Sequence, residues 1–247
     1  MGRQGRAWNG AEPPGVVFTY ATGRSGKHAS QILQGFSGIL RVDGYAGYNR
    51  LLDPRDNAPI GLAYCWAHAR RKLCELTENS DAPIAEEGLK QIAALYRIES
   101  KARGLTADER LAVRRDKTAP KIEALKAWLD ASRAQVSAKS PTGEALKDIA
   151  KYRDGLILFL NDGRIEMDSN AVERTIRLIA LQRKNALFAG HDAGAQNWAV
   201  IASLIETCKL NKIEPHSYLS GVLTAIAQGH KQTDIKELLP WNHAKHV

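Results

Sequence analysis

The strongest constraint on the fold is a change of pattern near residue 78. Before it, strand-like runs (residues 15–20, 38–43 and 60–64) alternate with helical spacing (residues 29–34 and 65–76). From residue 79 to about 160, strand-like runs disappear and apolar residues recur at helical spacing. The sequence therefore predicts an α/β protein whose core is interrupted by an all-helical insertion.

Local signals divide the insertion into three or four helices. Thr106 and Glu109 have the spacing of a capping box, and Ser140-Pro141 is typical of a cap followed by a first-turn proline. Pro120 either separates two helices or kinks one. A solvated helix face is the simplest interpretation of the basic residues, and DNA contact is the alternative. They are Arg97, Lys101, Arg103, Arg110, Arg114, Arg115 and Lys117.

Charge and composition indicate what kind of partner and cellular compartment to expect. Lys and Arg number 35 against 27 Asp and Glu, for a net charge of +8, which favours a polyanionic partner over a merely basic surface. Three scattered cysteines predict a reducing compartment, so we expect a cytoplasmic protein. No run approaches the ~18 apolar residues of a membrane span. The first residues show no secretory signal.

Residues 168–185 concentrate candidate chemistry. Asp168, Ser169 and Asn170 can each cap a helix, and Glu173 follows with cations around it. One interpretation is a capping box of Asn170 with Glu173 plus an ion pair one turn on. The other is a metal-binding carboxylate on a helix whose cations face phosphates. The cations are Arg174, Arg177, Arg183 and Lys184.

Two further candidate residues are Asp43, at the end of a predicted strand, and His68, in the helix predicted directly after another. Asp43 ends a strand, a common way to present a metal ligand, although it could simply begin an Asp-Gly turn. His68 follows Cys65 by three residues, which is half of a zinc site without a second half, so zinc is not expected. His68 could instead bond a phosphate, orient a carboxylate or be held by a local hydrogen bond.

Six motifs, in order along residues 15–223, resemble one family. LRVDGYAGYNRL, CWAHARRKL, DSNAVERTIR, QRKNALFAG, SLIETCKLN and EPHSYL are similar to the insertion-sequence 66 family of DDE transposases. The resemblance implies a ribonuclease H-like fold and Mg2+ (or Mn2+) held by two Asp and one Glu. It makes Asp43 and Glu173 catalytic metal ligands, with His68 beside them. From the positions of the cations themselves we expect DNA contacts at Arg70, Arg71, Arg174, Arg177, Arg183 and Lys184.

One departure from the family pattern affects activity. No Asp precedes Asp43, and Glu12 is the only acidic residue before it. We therefore expect an N-terminally truncated chain, with a ribonuclease H-like core missing its first two strands and the first catalytic Asp. The expected domains are a first core part (1–78), the helical insertion (79–160), a second core part with C-terminal helices (161–230) and a loose polar tail (231–247).

The resemblance implies DNA transposition by cutting and strand transfer, and we expect this truncated chain itself to be inactive. Its partners would be transposon ends and target DNA, and the complete protein would be a homo-oligomer without membrane contact, located at the nucleoid when bound to DNA. The sequence leaves open whether this chain is itself an enzyme. The alternatives are a non-catalytic DNA-binding remnant and a basic helical interaction protein, although the latter needs no paired carboxylates.

Overall fold

The computed structural model describes residues 13–52, 60–79, 81–170, 173–177, 181 and 190–243. The chain divides into two compact units. The larger unit comprises Ser25–Asn170, and the smaller one combines Ala11–Arg24 with Ala171–Val247. In the part of the chain that the structure describes, no helix is long and apolar enough to cross a membrane.

The larger unit contains a small parallel sheet. Strand β1 (Gly38–Val42) pairs in parallel with β2 (Ile60–Tyr64), with Val42 opposite Tyr64 at the last step of the register. The predicted strand at 60–64 is confirmed. The strand predicted over 38–43 stops one residue earlier, so Asp43 stands just beyond the sheet.

Helices make up most of the larger unit, and the prediction that residues 79–160 are helical is confirmed, while their status as an insertion stays a prediction. The helices are α1 (Gly26–Ile32), a 3-10 helix (Ala46–Leu52), α2 (Trp66–Asn79), α3 (Pro83–Lys101), α4 (Ala107–Val113), a π-helical turn (Arg114–Thr118), α5 (Ala119–Gln135), α6 (Pro141–Leu156) and a 3-10 turn (Leu158–Leu160). Both predicted caps are present. Thr106 and Glu109 form a reciprocal capping box, and Ser140 Oγ accepts from Gly143 N at 3.0 Å.

An apolar core joins the sheet to the insertion. Ala63 of β2, Ile92 and Leu95 of α3, Leu129 of α5 and Leu146 of α6 are at most 2% exposed and belong to one packed cluster. Removing such side chains from water is the main stabilising term for a unit of this size. The insertion is therefore part of the same core as the sheet.

Strand β2 also lies close to α6. A Cβ added at Gly155 would come 2.4 Å from the carbonyl oxygen of Leu62. Glycine, which has no Cβ, avoids this clash. Trp66 Nε1 donates to Leu156 O at 2.8 Å near the same place. These contacts set the position of the carboxyl end of β2 against the insertion.

Pro120 does not separate two helices, because α4, the π turn and α5 follow without a break. Pro120 lies in the first turn of α5, where it cannot donate a backbone hydrogen bond. The turn before it is wider, and Ala119 N donates to Arg114 O five residues back. A π turn of this kind adds one residue to the helix without ending it.

Arg110 and Arg114 correct the sequence interpretation. We expected them on a solvated face or against DNA, but both side chains are fully buried. Arg114 Nη2 and Nε donate to the two Glu99 oxygens at 2.6 and 3.0 Å, and Arg110 also bonds Glu99. Arg110 Nη1 donates to Glu166 Oε1 at 2.8 Å. Buried cations need such partners, because an unpaired charge inside a protein is very costly.

The smaller unit contains α7 (Asp192–Leu210), α8 (Pro215–Ala227), a 3-10 helix (Gln232–Leu238) and α9 (Pro240–His243). The two long helices were predicted from the sequence and are confirmed. The prediction of a loose tail is wrong for the described residues to 243. Tyr218 OH donates to Leu238 O at 2.7 Å, which fixes this segment on α8.

The predicted strand at 15–20 is also wrong. This stretch has no strand partner among the described residues and lies along α7 instead. Val16 N donates to Thr207 Oγ1 at 3.0 Å, and Phe18 N donates to Ser203 Oγ at 2.8 Å. Helix hydroxyls thus satisfy backbone groups that a neighbouring strand would otherwise bond.

Candidate functional site

Asp43 lies in a tight turn directly after β1. Its Oδ1 accepts from Tyr45 N at 3.0 Å, and Gly44 has a φ of 91°, which favours glycine. The Asp-Gly turn foreseen as the simpler role is therefore present. Asp43 is exposed, and a carboxylate that accepts one hydrogen bond keeps further lone pairs. The turn orients the side chain without using up its capacity as a ligand.

Helix α6 of the insertion supports this turn. Tyr152 OH donates to Gly44 O at 3.2 Å, and its ring lies 4.5 Å from that of Tyr64, centroid to centroid. Sequence reasoning did not single out Tyr152. Its partners lie far away along the chain, so no local pattern indicates the contact. The insertion thus helps to hold Asp43 in place.

The carboxyl end of β2 is tied to the segment 166–169. Cys65 is buried, and its Sγ accepts from Ser169 N at 3.2 Å and Ser169 Oγ at 3.1 Å. Trp66 N donates to Met167 O at 3.1 Å. Segment 166–169 therefore packs against the start of α2.

Arg41 ties the same segment to β1. Its guanidinium donates to the backbone oxygens of Glu166 and Asp168. Burial lowers the pKa of Arg41, and the charge of Glu166 partly opposes that effect. Because β1 and β2 are parallel and in register, their carboxyl ends lie side by side. Segment 166–169 therefore passes across the carboxyl ends of both strands, where Asp43 follows β1 and Cys65 follows β2.

His68, Arg70 and Arg71 lie in the first turns of α2. His68 is half-buried, and its backbone N–H donates to Cys65 O at 3.2 Å. Arg70 and Arg71 are exposed. These residues thus follow the carboxyl end of β2, which lies beside the end of β1 that precedes Asp43. Their roles in catalysis and DNA contact stay predictions.

Glu173 belongs to a helical stretch of the smaller unit. Residues 173–177 are helical, with Glu173 half-buried, Thr175 buried, and Arg174 and Arg177 exposed. The two arginines therefore present their charges to solvent, as phosphate contacts require. Arg183 and Lys184, predicted as further contacts, lie outside the described residues.

Asp168 makes the capping bonds just before this stretch. Its Oδ1 accepts from Asn170 N at 3.1 Å, and its Oδ2 accepts from Asn170 Nδ2 at 2.7 Å. Asp168 thus bonds its neighbour Asn170 as a capping residue does. The proposed capping box of Asn170 with Glu173 stays a prediction. So does the shared metal site of Asp43 and Glu173, which belong to different units.

Comparison with known proteins identifies the family. A profile described as "Transposase IS66 family" matches residues 2–197, and one described as "IS66 C-terminal element" matches residues 203–241. The chain belongs to the IS66 family of transposases. The resemblance drawn from the six motifs is thereby confirmed.

The chain is also similar to curated proteins of one organism. An uncharacterized protein of Sinorhizobium fredii, y4qI, is 41% identical over 97% of this chain and 45% of its own length. A second from the same organism, y4jD, is 39% identical over 96% of this chain and 47% of its own length. This IS66 family chain therefore spans about half the length of the curated relatives it matches. No solved structure matches it.

Proposed function

We propose that this chain contributes two of the three carboxylates of a DDE-type DNA strand-transfer site, within a ribonuclease H-like core. Asp43 would be the second Asp and Glu173 the Glu. The proposal depends on one observation: segment 166–169 passes across the carboxyl ends of the two strands, next to the turn that contains Asp43. Chain connectivity alone keeps the Cα of Glu173 within about 17 Å of the Cα of Asp168.

The residues fit a magnesium ion (or manganese) as cofactor. Mg2+ takes oxygen ligands and is usually held by one or two carboxylates plus water. Asp43 offers an exposed carboxylate on a supported turn. In a two-metal site the bound ions lower the barrier to attack by water or a 3′-hydroxyl and stabilise the leaving oxygen. Asp43 and Glu173 would position them, with His68 orienting a carboxylate or a phosphate.

The DNA partner would be held through its backbone. Arg70, Arg71, Arg174 and Arg177 are exposed, and arginine contacts to phosphate position a duplex without reading its sequence. Transposon ends and target DNA are the expected partners, and Arg183 and Lys184 are proposed as further phosphate contacts. Assembly as a homo-oligomer, association with the nucleoid and the two-part core at 1–78 and 161–230 stay predictions.

Binding without cleavage is the second candidate function for the 247-residue chain. No Asp occurs before Asp43 in its sequence, whereas two metal ions need bridging and flanking carboxylates. The two candidates share the fold and the DNA surface. They differ only in whether metal-dependent chemistry occurs.

Metal binding tests the proposed site directly. Asp43→Asn and Glu173→Gln are each expected to weaken Mn2+ binding by at least about tenfold, because each removes one charged ligand. Titration followed by electron paramagnetic resonance of free Mn2+ measures this effect. Asp154→Asn is the matched control, since Asp154 is a strongly exposed carboxylate of α6, with 91% of its side chain accessible. Unchanged Mn2+ binding by Asp43→Asn would refute the assignment.

DNA contact by the Glu173 stretch is tested by salt dependence. Replacing Arg174 and Arg177 by alanine is expected to reduce the slope of log K against log salt concentration by about 1.8, at about 0.9 per lost phosphate contact. Fluorescence anisotropy with a labelled duplex at several salt concentrations gives the slope. Lys231→Ala with Lys236→Ala removes the same charge from exposed positions of the same unit. Equal slopes for the two double variants would place the phosphate contacts elsewhere.

A further inference from the structure

A basic groove lies on the helical insertion, and none of its lining residues belongs to the candidate site. It runs between α3 and the continuous helix formed by α4, the π turn and α5, and has a volume of about 390 Å3. Ala94, Ile98 and Val113 are its apolar lining residues. The other lining residues are all cationic: Arg97, Lys101, Lys117 and Lys121.

The four cations have no counter-charge among the described residues. All are exposed, no acidic residue lines the groove, and none of the four forms an ion pair with a residue that the structure describes. Arg97 and Lys101 are one turn apart on α3, and Lys117 and Lys121 are four residues apart on the facing helix. Like charges at this spacing destabilise a helix. An anion between the two helices would relieve both repulsions at once.

The π turn determines which side chains face the groove. Arg110, Arg114, Thr118 and Ile122 are buried at a constant spacing of four. In a regular α-helix that spacing drifts by about 40° per step, since each residue turns by about 100°. The wider turn at Arg114–Thr118 reduces this drift at the middle of the run. It thereby also aligns Val113, Lys117 and Lys121 along the groove.

Buried ion pairs hold the two walls together. Glu99 of α3 bonds Arg110 of α4 and Arg114 of the π turn, on the inner side of the same helix pair. The walls of the groove are thus set before any ligand binds. Preorganisation of this kind lowers the cost of binding.

We propose that this basic groove binds the phosphate backbone of duplex DNA without sequence preference. The inference deepens the proposed function, because it adds a DNA contact on the insertion to those near Glu173. Four exposed cations on two fixed walls match a polyanion with regularly spaced charges. Contacts to phosphate position a duplex without reading its bases.

The test compares two variants with equal loss of charge. The groove variant carries Arg97→Gln, Lys101→Gln, Lys117→Gln and Lys121→Gln. The control variant carries Arg103→Gln, Arg115→Gln, Arg133→Gln and Lys139→Gln, at exposed positions that do not line the groove. Each removes four positive charges from the formal net charge of +8. Binding of a labelled duplex is measured by anisotropy with EDTA present, so that metal ions play no part.

The groove variant is expected to lose about 2 to 4 units of salt slope, while the control variant loses less than about 1. Equal losses would overturn the proposal, as would an absence of duplex binding by the unaltered chain. Binding of polyglutamate, a model for an acidic protein, is measured in the same way. If the unaltered chain binds it more tightly than DNA, and the groove variant loses that preference, the groove is a site for an acidic protein and the proposal fails.

Two double variants, each with half of the groove substitutions, test whether misfolding explains the loss of binding. Arg97→Gln with Lys101→Gln, and Lys117→Gln with Lys121→Gln, should each lose about half of the slope change and keep the circular dichroism spectrum of the unaltered chain. The outcome is also separate from the metal site. Loss of slope in the groove variant with unchanged Mn2+ binding in Asp43→Asn would retain the groove and reject the catalytic assignment, and the reverse pattern would reject the groove alone.

Discussion

Replacing Glu99 by alanine is expected to lower the free energy of unfolding by about 3–5 kcal/mol, the range for breaking a buried ion pair from one side. Arg110 and Arg114 are fully buried, and Glu99 accepts hydrogen bonds from both. Without its carboxylate, the hydrogen-bond acceptors that Arg114 keeps among the described residues are the backbone oxygens of Phe159 and Asp162, at 2.8 and 3.0 Å. Urea unfolding followed by circular dichroism measures the change.

An exposed ion pair provides the control. Asp148→Ala removes the partner of Lys72, and both side chains are at least 36% exposed, so the loss should stay below about 1 kcal/mol. In a second comparison, Arg114→Met added to Glu99→Ala should recover part of the stability, because it also removes the uncompensated charge. A loss below about 1 kcal/mol in Glu99→Ala would contradict the network's role.

The pH dependence of stability gives an independent readout on the same residue. Burial by itself would raise the pKa of Glu99, but hydrogen bonds and charges from Arg114 and Arg110 outweigh it and lower the pKa below its usual 4.5. A carboxyl whose pKa is lower in the folded state contributes stability above its unfolded pKa and loses it as pH falls through the folded value. The unaltered chain should therefore lose more stability on acidification than Glu99→Gln.

The elements that sequence predicted well have local causes. The strand at 60–64, the helix that follows it and the caps at Thr106 and Ser140 depend on residues within a few positions of one another. Propensity, capping geometry and apolar spacing all act over this range. The strand-end position of Asp43 was predictable for the same reason, within one residue.

The errors involve partners that are distant in sequence. Arg110 and Arg114 have the spacing of a solvated helix face, and their burial depends on partners outside their own helix, foremost Glu99 and Glu166. Residues 15–20 have strand-like side chains, but strand formation requires a neighbouring strand, and α7 occupies that side.

The candidate site shows the same limit. Arg41 bonds the backbone of Asp168, 127 residues away, and Tyr152 bonds Gly44, 108 residues away. No local pattern indicates either contact. A charged side chain inside a strand-like run was nevertheless a usable signal at Arg41, because such a residue requires a buried partner.

The 247-residue chain, purified with Mg2+ or Mn2+, is expected to give no DNA cleavage or joining above the metal-free background. The reason is the number of ligands. In the proposed site, Asp43 and Glu173 would hold about one ion with waters completing its shell, whereas two-metal chemistry needs carboxylates on both sides and a bridge between them. Glu12 is the only acidic residue before Asp43, and Pro13 and Pro14 follow it directly, which does not favour a strand.

A nicking and strand-transfer assay on supercoiled and short duplex DNA tests this expectation. The comparison protein is the same chain fused to the part of the 41% identical Sinorhizobium fredii relative that this chain does not match, which supplies sequence that the 247 residues do not contain. Metal-dependent cleavage by that fusion alone, lost in Asp43→Asn and Glu173→Gln, would support two carboxylates of a three-carboxylate site. Robust cleavage by the 247-residue chain, abolished by Asp43→Ala, would mean that another of its carboxylates completes the site and that Asp43 and Glu173 are not its full set of metal ligands.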